Sequence, residues 1–174
     1  MGGLMALHTT RAAPEGFFQG LILSAPALVG DPATDTPLNR FLARVLSNTF
    51  PKLEVAKLPL THLCTDEHVV AQYKQDPLVF HGALRARVGA ELIRAMPLAS
   101  ALSGELSTPL LLVHGEEDKL VDIKGSHSLL RTYGHKDKEL KTFPGLMHEL
   151  HNERGALGEG GSVHYITTWV EKRM

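Results

Sequence analysis

Residues 108–122 read Thr-Pro-Leu-Leu-Leu-Val-His-Gly-Glu-Glu-Asp-Lys-Leu-Val-Asp, and this stretch decides the fold class. The run from Leu110 to Val113 has no polar residue to mark a solvent face. Such a run fits a strand covered on both sides, as in a parallel sheet. It ends at His114-Gly115 and passes into three acids, Glu116, Glu117 and Asp118. Working outward, Gly20-Leu-Ile-Leu-Ser-Ala25 has the same character and is stopped by Pro26. Leu140-Lys-Thr-Phe143 is a third, more polar strand, ending at Pro144-Gly145. Between the last two lies a helical stretch over 123–133, with Ile123, His127, Leu130 and Tyr133 on one face. Val163, Ile166, Trp169 and Val170 recur at helical spacing near the end, and residues 4–13 form a helix before Pro14. Helices alternating with buried strands define an α/β fold, with right-handed crossovers and a parallel sheet.

The stretch 28–107 breaks this rhythm. Leu38, Phe41, Leu42, Val45 and Leu46 follow the i, i+3, i+4, i+7, i+8 pattern of an amphipathic helix. Leu84, Val88, Leu92, Ile93 and Met96 mark a second helix, and Pro51, Pro59 and Pro77 punctuate the connections. No strand is expected between them. An insertion of roughly 80 residues is too long for a plain loop, so it reads as a mostly helical cap; a helical layer packed on the sheet is the alternative. The expected organisation is core at 1–27, cap insertion at 28–107 and core again at 108–174. Arg40, Arg44 and Lys52 flank the first cap helix. With basic charge so modest, its apolar face is expected to pack on protein, peripheral membrane contact being the alternative.

Composition narrows the function classes. The 174 residues carry a net charge of -1 and are 43% hydrophobic. That balance gives no electrostatic reason to bind nucleic acid. Cys64 is the single cysteine, which points to a cytoplasmic protein independent of oxidative folding. No run approaches the roughly 20 apolar residues of a membrane span. The N-terminal stretch lacks a basic signal-peptide region, and Ala6 stands where a myristoylation signal has Ser or Thr. The ten histidines are scattered. The closest pair, His148 and His151, lacks the spacing of a zinc helix, so no metal is expected.

Ligands in open parallel sheets bind at the carboxyl ends of the strands. Those ends carry Asp118 after one strand and His148 after the next. A carboxylate orienting an imidazole that activates a nucleophile needs that neighbourhood. Asp122 and His151 are the runners-up, although Asp122, just before Ile123, is better placed as a helix cap.

Residues 108–122 resemble the catalytic-acid segment of α/β-hydrolases, Gly-x-x-Asp followed by an apolar residue and a helix. Phe143-Pro-Gly-Leu-Met-His-Glu-Leu-His-Asn-Glu153 resembles the histidine loop of the monoacylglycerol lipase group. Asp76-Pro77-Leu78 after Tyr73 is similar to a short signature in that group's cap, and residues 18–26 resemble the strand that enters it. The likeness spans essentially the whole chain and implies the C-terminal part of an α/β-hydrolase. It makes Asp118 and His148 the acid and base of a serine ester hydrolase, with acyl-ester lipid as substrate and no cofactor. It also implies Leu120 as a pocket-lining residue and the amide of Met1 as an oxyanion donor. The chain departs from the family at its start. The nucleophile of this fold sits in a Gly-x-Ser-x-Gly elbow, and no such motif occurs here. Met1-Gly2-Gly3 matches the residues that follow the serine. The chain alone is therefore expected to be inactive, and its first strand, interior in the full sheet, is expected to leave an apolar edge open to self-association. A peptidase or epoxide hydrolase of the same fold, or a non-catalytic acyl-binding protein, are the alternatives.

Overall fold

A computed structural model describes residues 1–29 and 36–174. Helix α1 (Gly2–Ala12) leads into β1 (Leu21–Ser24). Then follow α2 (Pro37–Thr49), β2 (Glu54–Ala56), α3 (Glu67–Gln75), β3 (Leu84–Arg85) and α4 (Ala86–Leu102). The chain closes with β4 (Leu110–Gly115), α5 (Lys124–Thr132), β5 (Lys138–Phe143) and α6 (Ser162–Glu171). Strands β1, β4 and β5 form one parallel sheet in the order β1-β4-β5.

The central strand explains its own composition. All of Leu110–Gly115 is buried. On one face Leu110 and Leu112 join Leu4, Leu7, Leu23, Leu129 and Tyr133. On the other, Leu111 and Val113 meet Phe143, Leu150 and Trp169. With both faces covered there is no solvent side for polar residues to occupy, hence the unbroken run. The edge strand β5 is only half-buried along Lys138–Thr142 and is correspondingly mixed.

The inserted segment is mostly helical, but it also holds an antiparallel pair, β2 with β3, where no strand was expected. These strands are three and two residues long, too short to display a period of two, and β2 is exposed throughout. Leu84 belongs to β3 rather than to the following helix. Helix α4 runs beyond Met96, through Pro97, to Leu102. The ends of the segment feed the core: Leu28 and Ala99 are buried in the same cluster as Leu110, with Leu92, Ala95 and Met96 packed against it.

Helix α2 departs most from expectation. Thr36 caps it, its Oγ1 accepting from the Asn39 N–H at 3.2 Å, and Pro37 pre-sets the first turn. Its polar face turns toward α4, so that Ala43, Ser47 and Asn48 line a cleft with Ala90 and Ile93. Its apolar stripe is only partly covered, Leu46 being half-buried. Leu38 is 65% exposed and Phe41 62%, with Leu42 and Val45 also exposed. Periodicity marks an apolar face without saying what covers it.

Candidate active site

The acid and the imidazole sit on the turns that follow β4 and β5. Parallel register places those strand ends side by side, His114 opposite Thr142 and Gly115 opposite Phe143. The loops are then stitched together. The Glu116 N–H donates to the Phe143 carbonyl, and the Glu117 N–H to the Leu146 carbonyl, each at 3.0 Å. Gly115 makes this approach feasible: a Cβ there would lie 2.2 Å from the Met147 carbonyl oxygen and 2.3 Å from that of Leu146.

Asp118 and His148 meet as a result. His148 Nδ1 lies 2.8 Å from Asp118 Oδ2. The carboxylate is fully buried, while the imidazole keeps 28% of its side-chain surface open. The other carboxylate oxygen, Oδ1, accepts from the backbone N–H groups of Leu120 at 2.8 Å and Val121 at 3.0 Å. Burial opposes ionisation of Asp118. Hydrogen bonds from His114 and His148, the charge of His148 and the Val121 amide outweigh it and hold the carboxyl well below the usual carboxylate range. An ionised Asp118 can only accept, so His148 carries a proton on Nδ1. In the neutral imidazole the lone pair is then on Nε2, and no hydrogen bond joins that atom to another described residue.

His114 also faces this carboxylate, a role that the sequence reading did not assign to it. It is wholly buried at the end of β4. Its Nε2 lies 3.2 Å from the Val121 carbonyl and 3.4 Å from Asp118 Oδ2. Both are acceptors, so Nε2 holds the proton and Nδ1 accepts from Ser126 Oγ at 2.8 Å. A histidine closing an otherwise apolar buried strand was the available signal.

Glu153 has a comparable place. It is 4% exposed and accepts from the N–H groups of Thr65 at 3.1 Å and Met147 at 3.0 Å, and from the Thr65 hydroxyl. The Glu149 N–H donates to the Leu63 carbonyl at 2.8 Å, and Arg154 pairs with Asp66 at 2.7 Å. The turn before α3 is thus tied to the histidine loop. Cys64, inside this knot, has its thiol pushed up to about 11 by burial and is an inert packing residue.

The other expected residues fall as follows. Met1 caps α1, its carbonyl accepting from Leu4 and Met5 at 3.0 and 3.3 Å. It also lines a cavity of about 660 Å³ walled by Leu58, Leu60, Tyr73, Phe80 and Leu84. Leu120 is not on that wall. It packs with Leu63, Cys64 and Val70, in one cluster with Leu60 and Tyr73, which are. Asp122 accepts from the Lys124 N–H at 2.8 Å, just ahead of α5, whose N-cap is Ile123. His151 is exposed on the turn Leu150–Asn152. The structure therefore joins Asp118 to His148 and leaves the runners-up outside the pair.

The Asp118 geometry has a pH consequence. Its folded pKa is depressed, so its stabilisation is fully present above the unfolded value of about 3.9 and is lost as pH falls below it. Urea unfolding between pH 7 and pH 2 is expected to show an acid-side loss of stability that Asp118→Asn reduces. Equal acid slopes for the two proteins would contradict this.

A parallel sheet with helices on both faces, an acid after one strand and a histidine after the next define the class: this is a partial α/β-hydrolase fold. The chain belongs to the family described as serine aminopeptidase, S33, whose model matches residues 1–155. Human monoglyceride lipase is 31% identical over 173 residues, covering 99% of this chain and 56% of that protein. A monoacylglycerol lipase from Mycolicibacterium smegmatis is 36% identical over 155 residues, covering 87% and 53%. The crystal structure of the Paleococcus ferrophilus monoacylglycerol lipase superposes with a TM-score of 0.86 at 26% identity, covering 99% of this chain and 65% of that one. The chain thus spans a little over half the length of these two curated relatives.

Proposed function

We propose that this chain supplies the acid–base half of a serine ester hydrolase acting on monoacylglycerols or closely similar acyl esters. The observation that carries the reading is the buried, ionised Asp118 bonded to Nδ1 of a half-open His148. In the cycle, His148 Nε2 takes the proton of the attacking serine and returns it to the leaving glycerol oxygen. Asp118 holds the tautomer and stabilises the imidazolium. In this fold the nucleophile sits in a strand-to-helix elbow, so a Gly-x-Ser joined ahead of Met1 would set its serine at the start of α1. The amide of residue 1 would then point at the developing oxyanion from the positive end of that helix. Within the 174 residues there is no Gly-x-Ser-x-Gly, so these residues alone are expected to show no triad-dependent hydrolysis.

The test is a chimera. A hydrolase N-terminal segment ending in Gly-x-Ser is joined ahead of Met1, and fatty acid release from a monoacylglycerol is measured. Hydrolysis by the chimera and none by residues 1–174 is expected. Hydrolysis by residues 1–174 that His148→Ala abolishes would overturn the reading, and cleavage of aminoacyl amides in preference to acylglycerols would redirect it to a peptidase.

Peripheral membrane contact through the cap is part of the same proposal. Its support is the exposed stripe Leu38, Phe41, Leu42 and Val45, with Arg44 and Lys52 beside it. An exposed apolar helix face flanked by cations suits an interfacial helix that presents its cavity to lipid. No helix among the described residues is long and apolar enough to cross a membrane. Co-sedimentation with anionic vesicles is expected, and Phe41→Ser with Leu42→Ser should reduce it about tenfold or more. Undiminished binding would assign the stripe to another partner. Self-association through β1, an edge strand of the described sheet, belongs to the proposal as well and is read by the concentration dependence of sedimentation.

A further inference from the structure

The cavity that Met1 reaches has an unusual charge balance. Its apolar wall is formed by Leu58, Leu60, Phe80, Leu84 and Val88. The polar side chains on it include Lys57, Lys74, Arg85 and His81, and no aspartate or glutamate among the described residues lines it. Lys57, Lys74 and Arg85 make no ion pair with any described carboxylate, unlike Arg87 and Arg94 further along α4, which both pair with Glu91. Arg85 is held over the Phe80 ring at 5.8 Å. Its neighbour across the ladder, Glu54, makes no ion pair with it. Asp76, after α3, spends its carboxylate on the Leu78 N–H at 2.8 Å.

A neutral glycerol ester offers no counter-charge to three cations that pair with no described carboxylate. Same-sign charges along a low-dielectric wall focus the field into the cavity. Its volume of about 660 Å³ lies in the range of small-ligand pockets.

We infer that this cavity takes a single-chain amphiphile with an anionic head, its alkyl chain against Leu58, Leu60, Phe80 and Leu84 and its head near Lys57, Lys74 and Arg85. The inference rests on the acyl-ester reading for the alkyl chain and adds to it the charge of the head. The anion is a carboxylate, as in a released fatty acid, or a phosphate, as in a lysophospholipid.

Binding rather than turnover separates this inference from the reading beneath it. The full chain is titrated calorimetrically with monooleoylglycerol, oleate and oleoyl-lysophosphatidate, each below its aggregation concentration and at low ionic strength. At least one anionic lipid is expected to bind about tenfold or more tightly than the neutral one. The preference should shrink in roughly 0.5 M salt. It should disappear in the triple variant Lys57→Gln, Lys74→Gln, Arg85→Gln and persist in Lys172→Gln, which lies off the cavity. All four residues are exposed, so the variants are expected to keep the wild-type circular dichroism. Tight oleate with weak lysophosphatidate assigns a carboxylate, and the reverse assigns a phosphate. Equal binding of all three, or a preference that survives the triple variant, overturns the inference and leaves the acyl-ester reading standing. Binding of none of the three overturns the inference, while the acyl-ester reading stands or falls with turnover by the chimera.

Discussion

Asp118→Asn in the serine-bearing chimera is expected to lower kcat about 10⁴-fold while leaving KM nearly unchanged. The local hydrogen bonds explain why so small a change should cost so much. Oδ1 of Asp118 is committed to the Leu120 and Val121 amides, and an asparagine keeps its carbonyl there. Its amide nitrogen then replaces Oδ2 and donates toward His148 Nδ1. The imidazole proton is driven to Nε2, so the atom that must accept from serine becomes a donor. The fold survives, because the two backbone bonds survive. Initial-rate kinetics on a soluble monoacylglycerol read the effect, and a fall in kcat of less than about tenfold would show that Asp118 does not orient the base.

The second large effect is on stability. Gly115→Val is expected to cost more than about 4 kcal/mol, or to prevent folding altogether. The new Cβ would overlap two backbone carbonyls, those of Leu146 and Met147, at 2.3 and 2.2 Å. A side chain in that position would rotate away, whereas a carbonyl fixed by the Glu117 N–H at 3.0 Å does not. The histidine loop would have to lift off the end of β4, taking His148 from Asp118. Gly145 supplies the contrast. It has φ +74, and a Cβ added there would meet nothing within 4 Å, so Gly145→Ala costs only the backbone strain, about 1–2 kcal/mol. Thermal unfolding should separate the two by about 5 °C or more. Similar melting temperatures would mean that the loops are not locked by close approach.

The sheet and the nearness of Asp118 to His148 were legible in the sequence for a definite reason. Buried parallel strands write themselves as apolar runs, and the residues after them stand at neighbouring strand ends whatever the side chains do. Leu110–Val113 and the Asp118 and His148 turns are read this way. His114 and Glu153 were not, because their roles depend on which acceptor lies opposite in three dimensions. Nothing along the chain says that His114 Nε2 meets the Val121 carbonyl, or that Glu153 reaches back to Thr65. Leu120, a pocket-lining residue only by the family resemblance, packs with Leu63 and Val70 in one cluster with Leu60 and Tyr73 of the cavity wall. Helix α2 was legible as amphipathic, but its periodicity is the same whether protein or lipid covers it. The strands β2 and β3 were too short to carry any period.

In the proposed reaction His148, oriented by Asp118, activates the serine that a Gly-x-Ser segment joined ahead of Met1 supplies. The most direct measurement is the reaction of the serine-bearing chimera with a fluorophosphonate, followed by peptide mass mapping. A single adduct on the serine preceding Met1, forming at least about 10³-fold more slowly in His148→Ala, is the predicted result. An adduct on any other residue, or a labelling rate that His148→Ala leaves unchanged, would contradict the account.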